Sequence, residues 1–315
     1  MTYTLDPELV TVMRALAERS RENPRPRRGD WQALREVGNA GQAYMATLVP
    51  PSSGVHTVTF VATAADGASL ELRWYTTDAA GTGSAVVYAH GGGMVMGSLD
   101  LYDELMSFYV CETGVPFLAV GYRLAPEVRA PTLAEDVYSA ISWLIAHAEE
   151  LGVDASRIAV MGDSGGGAPA VGAAILARDR NILLTKQILI YPMLDDRQPN
   201  RDSALEPFLT WTYDDNFTAW SAALGEACGT DDVPPTAAPA RLTDFRGLPE
   251  TYLDVGDLDI LRDEGIAFAQ CLARAGVPVE LHVHPGVPHG WERLAPRSQA
   301  AVRAMADRVR AITSL

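Results

Sequence analysis

Two hydrophobic rhythms divide the chain. Thr57-Val58-Thr59-Phe60-Val61 and Leu70-Glu71-Leu72-Arg73-Trp74 alternate with a period of two, as half-exposed antiparallel strands do. Beyond residue 84 the apolar residues come instead in short unbroken runs, at 85–88, 117–120, 158–161, 188–191 and 251–255. Helix-like stretches at 134–149, 166–178, 262–275 and 297–312 lie between or after them. A strand buried on both faces has no reason to alternate. Unbroken runs interleaved with helices therefore predict an α/β fold with a mainly parallel sheet, helices on both faces and an antiparallel pair leading in.

Two segments stand outside this rhythm. In residues 1–50, Asp6-Pro7 suits a helix cap and first turn, and Leu9, Met13, Leu16 and Ala17 recur at helical spacing. A second helical patch over 31–44 ends before Pro50-Pro51. Lying ahead of the first strand, this segment is expected to pack over the core as one half of a lid. Residues 195–248 are too long for a strand-to-helix connection and hold five prolines with Trp211, Tyr213, Phe217 and Trp220. The aromatic content argues against disorder and for an inserted cap near the mouth of the sheet. The expected organisation is a lid part (1–50), a first core part (51–194), an inserted lid (195–248) and a second core part (249–315).

Composition narrows the partners. The 315 residues are 48% hydrophobic and 21% charged, enough for a large buried core. Forty acidic against 25 basic residues give a formal charge of -15, which disfavours nucleic acid and anionic membrane surfaces as partners. The short basic cluster Arg25-Pro26-Arg27-Arg28 reads as a solvated connector. Asp6, Glu8, Arg14 and Glu18 interrupt the N-terminal apolar residues, so no secretory signal is expected, and no stretch reaches the roughly 18 apolar residues of a membrane span. Cys111, Cys228 and Cys271 are scattered and odd in number. Reduced thiols and a cytoplasmic location are the expectation.

The chemistry is carried by three motifs. Gly162-Asp163-Ser164-Gly165-Gly166 sits where an apolar run passes into a helix and satisfies G-x-S-x-G, a nucleophile elbow. A phosphate cradle is the competing reading, but no Lys stands nearby and G-x-G-x-x-G cannot be made from these residues. His90-Gly91-Gly92-Gly93 follows the run at 85–88, and glycines there let backbone N–H groups approach a developing oxyanion. The base of a triad is expected after the nucleophile. His282 and His284 share one face of an alternating run and are expected on an exposed strand face. His289, in Pro285-Gly286-Val287-Pro288-His289-Gly290, is free to reach Ser164. The orienting acid is expected at the end of the run at 251–255, where Asp257 and Asp259 are equivalent on physical grounds.

With these pieces in place the chain resembles the hormone-sensitive lipase family of α/β-hydrolases, and its bacterial short-chain carboxylesterases more than the mammalian lipase. The resemblance rests on His90–Gly93 continuing through Met94 to Ser98, on Tyr122-Arg123-Leu124-Ala125-Pro126-Glu127, on the elbow, on the run 259–265 and on His289-Gly290-Trp291. These occur in the family's order from about residue 55 onward. The resemblance implies an α/β-hydrolase fold with a helical lid, Asp259 as the triad acid, and oxyanion donors at Gly92, Gly93 and Gly165. It implies ester hydrolysis without metal or cofactor, and homodimers are common in such enzymes. Gly165 stands where the family usually has Ala, and Trp291 where it has Phe; Ala168-Pro169 also departs from the usual pattern. These differences bear on substrate preference and lid shape.

The expected function is serine carboxylesterase action on small-molecule esters, with Ser164, Asp259 and His289 as triad. Met94, Trp211 and Trp291, with Met96, are expected to close a compact pocket for short acyl chains. An amidase or peptidase would use the same triad. A non-catalytic relative would lack a working histidine, and His289 is present.

Overall fold

The computed structural model describes residues 3–22, 25–78 and 83–315. Ahead of the sheet lie helices α1 (Val10–Glu22) and α2 (Trp31–Ala46). The Asp6 carboxylate accepts the Glu8 N–H at a 3-10 turn leading into α1, and Asp30 accepts the Ala33 N–H to cap α2. The alternating runs pair as an antiparallel ribbon, β1 (Val55–Thr63) with β2 (Ser69–Thr77), Phe60 opposite Leu72. β1 is the sheet edge and mostly exposed, whereas β2 buries Leu70, Leu72 and Trp74 on one face.

The unbroken runs become β3 (Ala85–Ala89), β4 (Phe117–Gly121), β5 (Ile158–Asp163), β6 (Lys186–Ile190) and β7 (Glu250–Gly256), and the late alternating run becomes β8 (Val279–His284). The sheet order is β1-β2-β4-β3-β5-β6-β7-β8. β2 meets β4 antiparallel, and every pairing from β4 to β8 is parallel. All residues of β3, β5 and β6 are buried, which is why those runs show no alternation.

The covering helices are α3 (Asp103–Thr113), α4 (Ala130–Ala146), α5 (Gly167–Asp179), α6 (Tyr213–Leu224), α7 (Arg262–Arg274), the single turn α8 (Trp291–Leu294) and α9 (Gln299–Thr313). α4 and α5 pack on each other and against β3; α3 packs with α9, and α7 lies on β7 and β8. α4 starts at Ala130, four residues before its predicted start, with a proline in its first turn, where a missing N–H costs nothing. α6 lies inside 195–248 and begins with a reciprocal capping box between Thr212 and Asp215.

Two expectations are corrected. The histidine face of β8 is not exposed: His284 is buried against Trp291, and His282 packs on Tyr252 and meets Glu280 at 2.6 Å. Leu281 and Val283 are the exposed side, whereas Asp307 of α9 lies on the histidine side, 3.8 Å from His282. The basic cluster is not merely solvated either. Arg25 bonds Asp215 at 3.2 Å and the Leu209 carbonyl at 3.1 Å, and Arg28 meets Asp214 and stacks on Phe217. It ties the N-terminal part to the 195–248 segment.

Candidate active site

β5 ends at Asp163, Ser164–Gly166 form a 3-10 turn, and α5 begins at Gly167. Ser164 has φ +53°, a left-handed conformation that costs a residue with a side chain about 1–2 kcal/mol. The turn closes this tightly only because Gly162 lacks a side chain: a Cβ there would stand 2.4 Å from the Gly166 carbonyl oxygen. The Ser164 hydroxyl is thereby held out at the carboxyl end of the sheet.

His289 Nε2 lies 2.8 Å from Ser164 Oγ. Its Nδ1 lies 2.6 Å from Asp259 Oδ2, and Asp259 is buried. The other oxygen of Asp259 accepts the Leu261 N–H at 2.9 Å, so the carboxylate is held by its own chain and cannot swing. Asp257 does different work. Its Oδ1 accepts the Gly286 N–H at 2.6 Å and its N–H donates to the His284 carbonyl, bracing the loop that carries His289. Thr210 Oγ1 donates to the His289 carbonyl at 2.6 Å, tying the same loop to the 195–248 segment.

The glycine loop follows β3. The Val95 and Met96 N–H groups both return to the Gly92 carbonyl, at 3.1 and 3.0 Å, with Gly92 at φ +124° and Gly93 at +56°. Among the described residues the Gly92 and Gly93 N–H groups donate to no protein acceptor, so both are free for a ligand oxygen. A Cβ on Gly165 would fall 2.3 Å from the Gly93 nitrogen. The elbow and the glycine loop therefore run side by side, in closer contact than a methyl group would allow.

A cavity of about 540 Å³ opens on Ser164 and His289. Leu16 of α1, Met45 of α2, Met96 of the glycine loop, Tyr191, Leu209 and Trp211 are among its walls. Trp211 was expected there; Met94 and Trp291 do not line it. Met94 is fully buried and its carbonyl accepts the Ala125 N–H at 2.9 Å, which anchors the glycine loop from behind. After His289 the left-handed Gly290 (φ +69°) turns the chain, and Trp291 enters the core edge-on to Tyr191. Tyr191, missed from the sequence, meets the His289 ring edge-on at 4.5 Å. Its position at the carboxyl end of the strand next to the elbow strand was the available signal.

The charges around the site are buried. Burial drives the Asp163 pKa up, although Tyr88 donates to its carboxylate. Behind His289, Tyr191 donates to Glu292, and Arg308 joins Glu292 (3.0 Å) to Asp254 (2.7 Å). Burial alone would raise the Glu292 pKa; attraction to Arg308 and the Tyr191 bond outweigh it and hold the carboxyl below its ordinary value.

An elbow serine within reach of an imidazole held by a buried carboxylate is the constellation of a serine hydrolase. The chain belongs to the α/β-hydrolase family: the Abhydrolase_3 model, for the alpha/beta hydrolase fold, matches residues 86–293. It is 37% identical over 237 residues to ethyl acetate hydrolase of Pseudomonas putida, covering 74% of each chain. Carboxylesterase NlhH of Mycobacterium tuberculosis is 38% identical over 223 residues, 70% of each chain. Among solved structures, a bacterial heroin esterase superposes with a TM-score of 0.87 at 36% identity, covering 99% of this chain and 98% of that one. Among the described residues no helix is long and apolar enough to cross a membrane.

Proposed function

We propose that this protein is a serine carboxylesterase that hydrolyses short-chain acyl esters of small molecules through an acyl-enzyme intermediate. The observation that carries the reading is the 2.8 Å approach of His289 Nε2 to Ser164 Oγ, with Nδ1 held by the buried Asp259. His289 takes the hydroxyl proton as Ser164 attacks the ester carbonyl, then gives it to the departing alcohol. Asp259 sets the tautomer and stabilises the imidazolium. The N–H groups of Gly92, Gly93 and Gly165 receive the oxyanion. Water then attacks the acyl-enzyme by the same route. Each proton and charge is handled by these groups, so no metal or organic cofactor enters the sequence.

Helices α1 and α2 and residues 195–248 act as the lid, a role supported by the cavity walls they supply. The side chain of Trp211 in the cavity wall favours short acyl chains, as does the likeness to ethyl acetate hydrolase. Three free cysteines accord with a cytoplasmic setting.

The test is a p-nitrophenyl ester series from acetate to dodecanoate, with fluorophosphonate labelling. Ser164→Ala is expected to fold normally and lose about 10⁴-fold or more in kcat together with labelling. Asp259→Asn should lose about 10³–10⁴-fold, and Asp257→Asn about tenfold at most. Retained turnover in Ser164→Ala overturns the mechanism. Rates that climb steadily toward dodecanoate overturn the short-chain assignment, and faster cleavage of an amide of matched acyl group would make the enzyme an amidase.

A further inference from the structure

Residues 285–290 bring His289 to Ser164, yet among the described residues no hydrogen bond joins two members of this loop. Pro285 and Pro288 have no N–H to give. The shape of the loop is therefore imposed from outside. From the end of β7, Asp257 Oδ1 accepts the Gly286 N–H and the Leu258 N–H donates to the Val287 carbonyl at 3.1 Å. From the 195–248 segment, Thr210 holds the His289 carbonyl. The remaining hold comes from the chain ahead of α1. The Asp6 N–H donates to the Gly286 carbonyl at 2.8 Å, so Gly286 is bonded through both of its backbone groups. Gly286 has φ +75°, and a Cβ on it would stand 2.9 Å from the Asp6 nitrogen. The two stretches of backbone pass with no room for a side chain between them.

The N-terminal stretch is itself anchored on both sides of Asp6. The Tyr3 hydroxyl donates to the Asp202 carboxylate at 2.8 Å, and Glu8 Oε2 accepts the Gln299 N–H of α9 at 2.5 Å. Leu9 is fully buried. Residues 3–9 thus run from the 195–248 segment to α9 and meet the histidine loop on the way. A chain end tied down in this way can fix the peptide it crosses, whereas a fraying terminus cannot.

We infer that residues 3–9 are a strap that positions His289 for catalysis, acting through the backbone N–H of Asp6 on the Gly286 carbonyl. This rests on the esterase reading above and adds a positioning residue to it. Asp6 does not line the cavity. It acts through the loop, by keeping His289 Nε2 within reach of Ser164 Oγ. Rates are sensitive to such placement, since a displacement of about 1 Å in a reacting group costs up to about 100-fold.

The bond can be removed on its own. Asp6 has φ -56° and ψ 128°, values that proline adopts, and Leu5 before it is not helical. Asp6→Pro therefore deletes the N–H without forcing the backbone. Asp6→Ala, which keeps the N–H and loses only the side-chain cap on Glu8, is the reference. Against that reference, Asp6→Pro is expected to lose about tenfold in kcat on p-nitrophenyl butyrate, with KM changed by less than about threefold. Amide hydrogen exchange in 285–290 should rise by about tenfold. A merely structural role would lower the urea midpoint and leave kcat of the folded enzyme equal to that of Asp6→Ala. That result overturns the strap, as does a rise in KM alone or unaltered exchange in the loop. If Asp6→Pro fails to fold, Tyr3→Phe combined with Glu8→Ala, which releases the chain on both sides of Asp6, decides by the same readings against wild type. Wild-type protein that cleaves no p-nitrophenyl ester would overturn the esterase reading instead, and the exchange comparison would still decide whether the strap holds the loop.

Discussion

His90 shows how a single residue beside the glycine loop ties stability to pH. Its ring is buried, stacked on Tyr122 at 4.4 Å, with Nδ1 against the Gly91 carbonyl at 2.9 Å. Burial lowers its pKa to about 4. Between pH 6.5 and 4 the unfolded chain therefore holds a proton that the folded chain does not. Stability present above pH 6.5 is lost as the pH falls toward 4, by about 3 kcal/mol from this group. His90→Gln is expected to flatten the fall of the urea midpoint over that interval; an unchanged slope would assign the acid sensitivity to other groups.

Helix α2 acts at the next scale, as a prop for the glycine loop. Arg35 donates to the Val95 carbonyl, to the Ala125 carbonyl at 2.8 Å and to both oxygens of Glu127 at 2.7 Å. Asn39 Oδ1 accepts the Gly97 N–H at 2.9 Å. At Gly38 a Cβ would sit 1.8 Å from Met96 Sδ, so the helix and the loop meet in direct contact. An element that precedes the sheet by sequence thus holds the loop whose N–H groups are proposed to bind the oxyanion. Arg35→Ala is expected to lower kcat by about tenfold with KM little changed, and Arg35→Lys to recover only part, since Lys cannot reproduce the forked contacts. A rise in KM alone would reduce α2 to a wall of the cavity.

Across the whole molecule, the C-terminal helix completes the support of His289. Arg308 of α9 is fully buried between Asp254 of β7 and Glu292 of α8, and Glu292 in turn accepts from Tyr191, whose ring contacts His289. Removing one partner of such a network strands the others as uncompensated buried charges. Arg308→Met is expected to cost about 3–5 kcal/mol in urea unfolding, with a fall in kcat through the displaced Tyr191 and Glu292. A loss below about 1 kcal/mol would show that the two carboxylates find other partners or take up protons.

The amino-acid sequence by itself determined the strands, most of the covering helices, the elbow and the glycine loop. Each depends on local physics: an unbroken apolar run is buried on both faces, a G-x-S-x-G turn needs small residues, and a left-handed backbone favours glycine. α3 escaped notice because its buried residues spread round the helix, with Leu105, Met106, Tyr109 and Val110 all inside and no single apolar stripe. Only the tertiary structure decided the rest. Asp257 and Asp259 lie in one turn and look alike until the loop 285–290 folds back and brings Gly286 to the first and His289 to the second. The turn at Gly290 sent Trp291 into the core, and Asp307 of α9 lies on the histidine side of β8. Periodicity reports the faces of single elements, whereas the partner of each side chain depends on which distant element packs against that face.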